Sequence, residues 1–154
     1  MRAAVSGRGA RVAALAAIAL GGCGAPESEG SPVACLGDQA ALAAALAGPP
    51  APVRLSDGTS LSRCVSTASD GDLQALGVTF TQVADDLRAR ADRDGAAALQ
   101  LGYLVGAVRR GAAATPGIAA QLARRVEAST SPQIDDLRAR AQLERGIRLG
   151  EAGG

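Results

Sequence analysis

Leu73, Leu76, Phe80, Val83 and Leu87 recur at spacings of three and four residues. That is the period of one helix face, and it predicts a single amphipathic helix over 71–92. Gly77 interrupts the seam at a cost of about 1 kcal/mol relative to alanine, which a helix of this length tolerates. A reading as two pieces, with a capping box from Thr79 to Gln82, competes with the single helix. Phe80 and Tyr103 are the only aromatic residues in the 154. The core must therefore be filled by leucine, valine and alanine, which bury less area per side chain.

The rest of the chain repeats this helical signal and shows little strand signal. Asp38 is an N-cap for a helix over 38–47, in which Leu42 and Leu46 lie four apart before Gly48-Pro49-Pro50 ends it. Asp57-Gly58 marks a turn, either of a small hairpin or of a plain loop. A short helical segment over 61–67 carries Cys64. Residues 96–110 form the next helix, with Ala98, Leu101, Val105 and Val108 as its stripe and Leu104 beside them. Gly102 and Gly106 lie four apart on one face and predict close helix packing. Arg109 and Arg110 suit the negative end of that helix. Thr115-Pro116 and Ser131-Pro132 each read as a cap followed by proline at the first helical position. Ile118, Leu122 and Val126 form the stripe of the first of these helices. Ile134, Leu137 and Ala141 are expected inward in the second, with Leu143, Ile147 and Leu149 on another face and residues 151–154 a fraying tail. The expected fold is all-α: a small helical bundle or stacked helical hairpins, with an irregular, disulfide-stapled N-terminal part.

The heptapeptide Asp-Asp-Leu-Arg-Ala-Arg-Ala occurs at 85–91 and again at 135–141. Looser similarity follows each copy: Leu99-x-x-Gly102-x-x-x-Gly106 and Leu143-x-x-Gly146-x-x-x-Gly150. Duplication of a helix pair is one explanation, and recurrent helix chemistry is the other. Acid-before-base pairs at i+3 and i+4 (Asp85 with Arg88, Asp86 with Arg90, and their counterparts) contribute about 0.2–0.5 kcal/mol each. The offset of 50 residues does not match tetratricopeptide spacing. Asp92-Arg93-Asp94-Gly95 has the look of a calcium loop, but the register puts Arg90 first and Leu101 twelfth, so it reads as a turn.

The chain contains no histidine and no lysine. That removes Ser-His-Asp and Cys-His nucleophile systems, Schiff-base chemistry and the P-loop lysine. Histidine ligands for zinc are absent as well. Two aromatics make no stacking platform for bases. No acid stands in a recognisable catalytic setting. The expectation is a non-enzymatic protein with no cofactor, no metal site and no nucleic-acid partner.

Cys35 and Cys64 are an even pair, expected as a disulfide if the domain faces an oxidising compartment; free redox thiols are the alternative. The third cysteine, Cys23, ends a leader. Arg2, Arg8 and Arg11 precede an apolar run, Val12–Leu20, too short to span a bilayer. Gly21-Gly22-Cys23 follows. This leader resembles the lipobox signal peptide of bacterial lipoproteins. The resemblance covers the leader alone and implies cleavage before Cys23, a diacylglycerol thioether on its sulfur and acylation, such as palmitate, of the new N-terminus. Two or more chains give stable anchoring. Ordinary secretion is the alternative.

Three parts are expected: a signal peptide over 1–22, a Gly/Pro/Ser-rich tether over 23–32 and a single helical domain over 33–154. Beyond the leader, thirteen arginines face fifteen acids, a formal charge of −2. Arg109-Arg110 and Arg124-Arg125 are candidates for contact with anionic lipid headgroups; solvated helix faces are the plainer reading. The resulting expectation is an extracytoplasmic, membrane-anchored envelope protein that binds or scaffolds a protein partner. The alternative is a lipoprotein that binds a small ligand, such as a lipid, in an apolar cavity between helices.

Overall fold

Six α-helices and one 3-10 turn, joined without a strand, make up the described residues of the computed structural model, which are 30–48, 52–130 and 134–154. The fold is all-α. A 3-10 turn, Val33–Leu36, precedes α1, Gln39–Leu46, and α2, Leu61–Thr67. The main bundle follows: α3, Asp70–Ala91; α4, Gly95–Ala112; α5, Ile118–Ala128; and α6, Leu137–Gly153.

The seam of α3 is continuous. Leu73, Leu76, Phe80, Val83 and Leu87 are all buried, and the helix runs through Gly77 and Thr79 as one piece. Ser69 caps it by accepting from the Asp72 N–H, so the signal at Thr79 and Gln82 is overridden by packing. The Asp38 side chain caps α1 by accepting from the Ala41 N–H at 2.8 Å. Ser60 caps α2 in the same way, through Arg63. The Asp57-Gly58 segment is a loop: the Gly58 N–H donates to the Leu55 carbonyl, and Gly58 takes a φ of 85°. No strand pairs across it.

The centre of the molecule is α4. Ala98, Leu101, Leu104, Val105 and Val108 are buried, as are Gly102 and Gly106. The core is closed around them by Phe80, Leu76, Val65, Leu61 and Val126. Tyr103 is also buried, and its hydroxyl lies inside rather than at the rim, accepting from the Val53 N–H at 3.1 Å. Tyr103→Phe should therefore cost about 1–3 kcal/mol, because it strands a buried N–H. Equilibrium urea denaturation of the two proteins measures it.

The α4–α6 contact is the closest in the fold. Gly102 and Gly106 face the backbone of α6 at Leu143, Ile147 and Glu151, while Gly146 and Gly150 face that of α4 at Leu99, Tyr103 and Ala107. The residue numbers rise together, so the two helices are parallel, with Gly102 beside Gly146 and Gly106 beside Gly150. A Cβ at Gly102 would stand 2.9 Å from the Ile147 nitrogen and closer still to the Leu143 carbonyl oxygen. The two related Leu-x-x-Gly-x-x-x-Gly segments are thus each other's packing partners.

Two helix starts differ from the sequence expectation. Pro116 is not the first residue of α5. Gly117, at φ 87°, redirects the chain, and the helix begins at Ile118. The last helix begins at Leu137, where the Asp136 side chain accepts from the Ala139 N–H at 2.7 Å. Ser131 and Pro132 lie outside the described residues. Ile134 is inward as expected, packed with Ala91, Ala98 and Ala139. Leu137 is 74% exposed and Ala141 is exposed, whereas Ala139, Gly146 and Gly150 face inward with Leu143 and Ile147 half-buried beside the core. The reason is geometric: α6 turns its small residues to α4, and Leu137 falls on the opposite side. The tail is part of the helix, and the buried Gly154 carbonyl accepts from the Ser62 hydroxyl.

Cys35 and Cys64 are joined by a disulfide, with Cα atoms 5.4 Å apart. It ties the 3-10 turn to α2, which packs on α4: a Cβ at Gly111 would stand 2.7 Å from the Val65 Cβ.

Candidate functional site

Most of the polar groups in the bundle hold helices together. Arg109 on α4 bonds Glu127 on α5 and Glu151 on α6, which raises the Arg109 pKa, chiefly through the Glu127 hydrogen bond. Arg110 donates to the Glu151 carbonyl at 2.9 Å and to that of Ala152, at the negative end of α6. This pair, a sequence candidate for a membrane surface, is exposed and bonds acids and carbonyls of α5 and α6. The heptapeptide acids are also put to different uses. Asp85 accepts from Ser129 Oγ at 2.9 Å, Asp86 accepts from the Gln39 amide, and Asp136 caps α6. Arg88 reaches Asp92 at 3.1 Å.

Asp57, Asp72 and Asp92 are held below their ordinary carboxyl value of 3.8. The causes are hydrogen bonds: from the Thr59 backbone to Asp57, from the Ser31 and then the Ser69 side chains to Asp72, and from the Arg88 side chain to Asp92. Lowered carboxyls are poor proton donors near neutral pH. A carboxyl whose folded pKa lies below its unfolded value stabilises the fold above that unfolded value, and the contribution is lost as pH falls through the folded pKa. Thermal stability should therefore fall on acidification from about pH 5 to below about pH 3. Melting curves of wild type and Asp92→Asn across that range check this, and the variant should show the shallower loss.

Of the sequence-predicted sites, Cys23 lies outside the described residues, and Cys35 and Cys64 are joined in the disulfide. Among the described residues, no group of three His, Cys, Asp or Glu side chains is placed to share a metal ion, and no helix is long and apolar enough to cross a membrane. Ser31, within the expected tether, contacts the helical part: its hydroxyl donates to the Asp72 carboxylate at 2.9 Å.

Three open concavities flank the core. One of about 370 Å³ lies between α1 and α3, with Asp86, Arg90 and Asp94 on its walls. A second, of about 240 Å³, lies where Leu46, Val53, Tyr103 and Leu149 converge. The third, of about 410 Å³, is a groove between α3 and α5. Leu73, Gln74, Gly77 and Val78 line it from α3; Ile118, Gln121, Leu122 and Arg125 line it from α5. Gly77 faces Leu122 and Arg125, and Asp85 bonds Ser129 further along, so α3 and α5 are parallel there.

The α3–α5 groove has a built shape. Gly77 removes a side chain from its floor, where an added Cβ would meet the Leu122 side chain at 3.6 Å and the Arg125 guanidinium at 3.7 Å. Val78 stands 56% exposed on its rim. Beyond Arg125 the groove flattens over Thr81, Asp85 and Ser129, and the Thr81 hydroxyl is buried there without a hydrogen-bond partner among the described residues. From sequence alone, Gly77 reads only as a tolerated flaw, and Arg125 reads either as a contact for anionic lipid headgroups or as part of a solvated helix face. The signal for their meeting is the pairing of α3 with α5, which periodicity does not contain. No known protein family matches this chain, and neither a characterised protein nor a solved structure is similar to it.

Proposed function

We propose that this chain is a lipid-anchored, non-enzymatic binding protein of a bacterial cell envelope, held by acyl chains on Cys23 and presenting its helical domain to a protein partner as a scaffold. The observation that carries the reading is the leader: three arginines, the Val12–Leu20 run and Gly21-Gly22-Cys23, followed by a polar tether. The engagement of arginines and acids in caps and interhelical contacts supports a structural rather than a catalytic use of these groups. Intact mass of the protein made in a lipoprotein-processing bacterium, beside Cys23→Ser, tests the anchor. The expected wild-type mass starts at Cys23 and includes acyl chains that the variant lacks. A wild-type chain secreted without lipid would overturn it. Photo-crosslinking from position 78 in native membranes tests the partner, and a reproducible single adduct is expected.

One observation favours a second reading, binding of a small ligand. The three concavities that flank the core communicate with the surface, so a ligand in any of them would sit in a groove. The α3–α5 groove, open and of about 410 Å³, falls in the size range of small-molecule sites.

A further inference from the structure

We infer that the α3–α5 groove takes a single-chain anionic amphiphile, its acyl chain lying over Val78 and Ile118, with the buried Leu73 and Leu122 beneath, and its acidic headgroup on Arg125; this rests on the small-ligand reading. The groove walls carry one charged side chain, Arg125, and no carboxylate. The Arg125 guanidinium lies over the Gly77 floor, 3.7 Å from where a Cβ would stand, so it would be in ordinary contact with an alanine there. No hydrogen bond or ion pair within the described residues engages it. Asp85, which lines the flatter continuation of the groove with Arg125, accepts a hydrogen bond from Ser129. An exposed arginine in this state, at walls that are part aliphatic and part amide (Gln74 and Gln121), complements a carboxylate or phosphate through paired N–H donors.

Size selects the occupant. An α-helix is about 10–12 Å across with its side chains. A groove of about 410 Å³ accepts little of such a body, whereas it has the volume of a small ligand. The chemistry matched is an apolar chain ended by a negative charge, of which the part next to the headgroup, about 10 Å at 1.5 Å per wall residue, lies in the groove. A free fatty acid and a lysophospholipid both meet it, and a comparison of two headgroups distinguishes them.

The test uses the full chain, processed at Cys23 and reconstituted in neutral phosphatidylcholine nanodiscs. The probes are diazirine-bearing palmitate, the matching lysophosphatidate and the matching uncharged alcohol, each mapped by peptide mass spectrometry. Both anionic probes should label Leu73–Val78 and Ile118–Leu122, and preference between them identifies the headgroup. Arg125→Gln removes the charge-assisted pair and should cut that labelling about tenfold or more, while Arg125→Lys should restore part of it. Equal labelling of the groove by the alcohol, with no effect of Arg125→Gln, would overturn the anionic assignment while leaving small-ligand binding intact. Labelling scattered over the surface, with none concentrated in the groove, would overturn both. Helicity and the melting temperature of the Arg125 variants should match wild type; a variant that unfolds is replaced by Gln121→Glu, which sets a like charge beside the headgroup and should weaken labelling by the anions alone.

Discussion

Gly102→Ala and Gly146→Ala should each destabilise the protein by about 3 kcal/mol or more, although alanine is the better helix former by about 1 kcal/mol. Each new methyl group would meet backbone, not the end of a flexible side chain. A Cβ at Gly146 stands 2.8 Å from the Tyr103 nitrogen and 3.0 Å from the Gly102 Cα. Backbone at that range yields only if α6 moves off α4 along its length, which breaks the contact the neighbouring glycines make. Gly77→Ala provides the opposite sign in the same experiment. Its Cβ would sit at ordinary contact distance from Leu122 and Arg125, and its backbone is helical, so the change should stabilise by about 0.5–1 kcal/mol. Urea denaturation followed by far-UV circular dichroism measures all three. A Gly102→Ala protein as stable as wild type would show that α4 and α6 do not pack at this distance.

Removal of the disulfide has the second large expected effect. Cys35 and Cys64 are 29 residues apart, and closing such a loop contributes about 3–4 kcal/mol in the chain-entropy account. Domains are stable by only about 5–15 kcal/mol in total. The double variant Cys35→Ser, Cys64→Ser should therefore lower the urea midpoint strongly, and reductant should shift wild type towards it while leaving the variant unmoved. The 3-10 turn should be released first. Apart from the disulfide, its described attachments to the bundle are short: the Ser31–Asp72 hydrogen bond just before it and packing against α3. An unchanged midpoint on reduction would mean that the turn stays docked on α3 without the cross-link.

Legibility in the sequence follows the range of each interaction. Asp38, with two leucines four apart behind it, is sufficient for α1, because a cap and a stripe are local. The seam from Leu73 to Leu87 is sufficient for α3, since five apolar residues on one face outweigh one glycine. The proline signals place the starts of α5 and α6 too early. Proline at the first helical position is a preference, and Gly117 and Asp136 compete with it through a positive φ and a side-chain cap. The inward face of α6 escapes periodicity for a different reason. Leu137 and Ala141 are apolar enough to read as core, but the partner helix accepts small residues there, and the glycines decide the rotation.

The sequence by itself determined the helical class, the position of the main stripes, the disulfide partners and the exclusion of chemistry that needs histidine or lysine. Each of these depends on residue identity or on spacing within one turn or two. Only the tertiary structure decided that two similar glycine motifs pack on one another in parallel, that Arg109 and Arg110 bond acids and carbonyls of α5 and α6, and that Gly77 and Arg125 meet in a groove. Those outcomes depend on which helices become neighbours and at what rotation. Periodicity marks the face that is buried, and the shapes of both surfaces at the contact select what it is buried against.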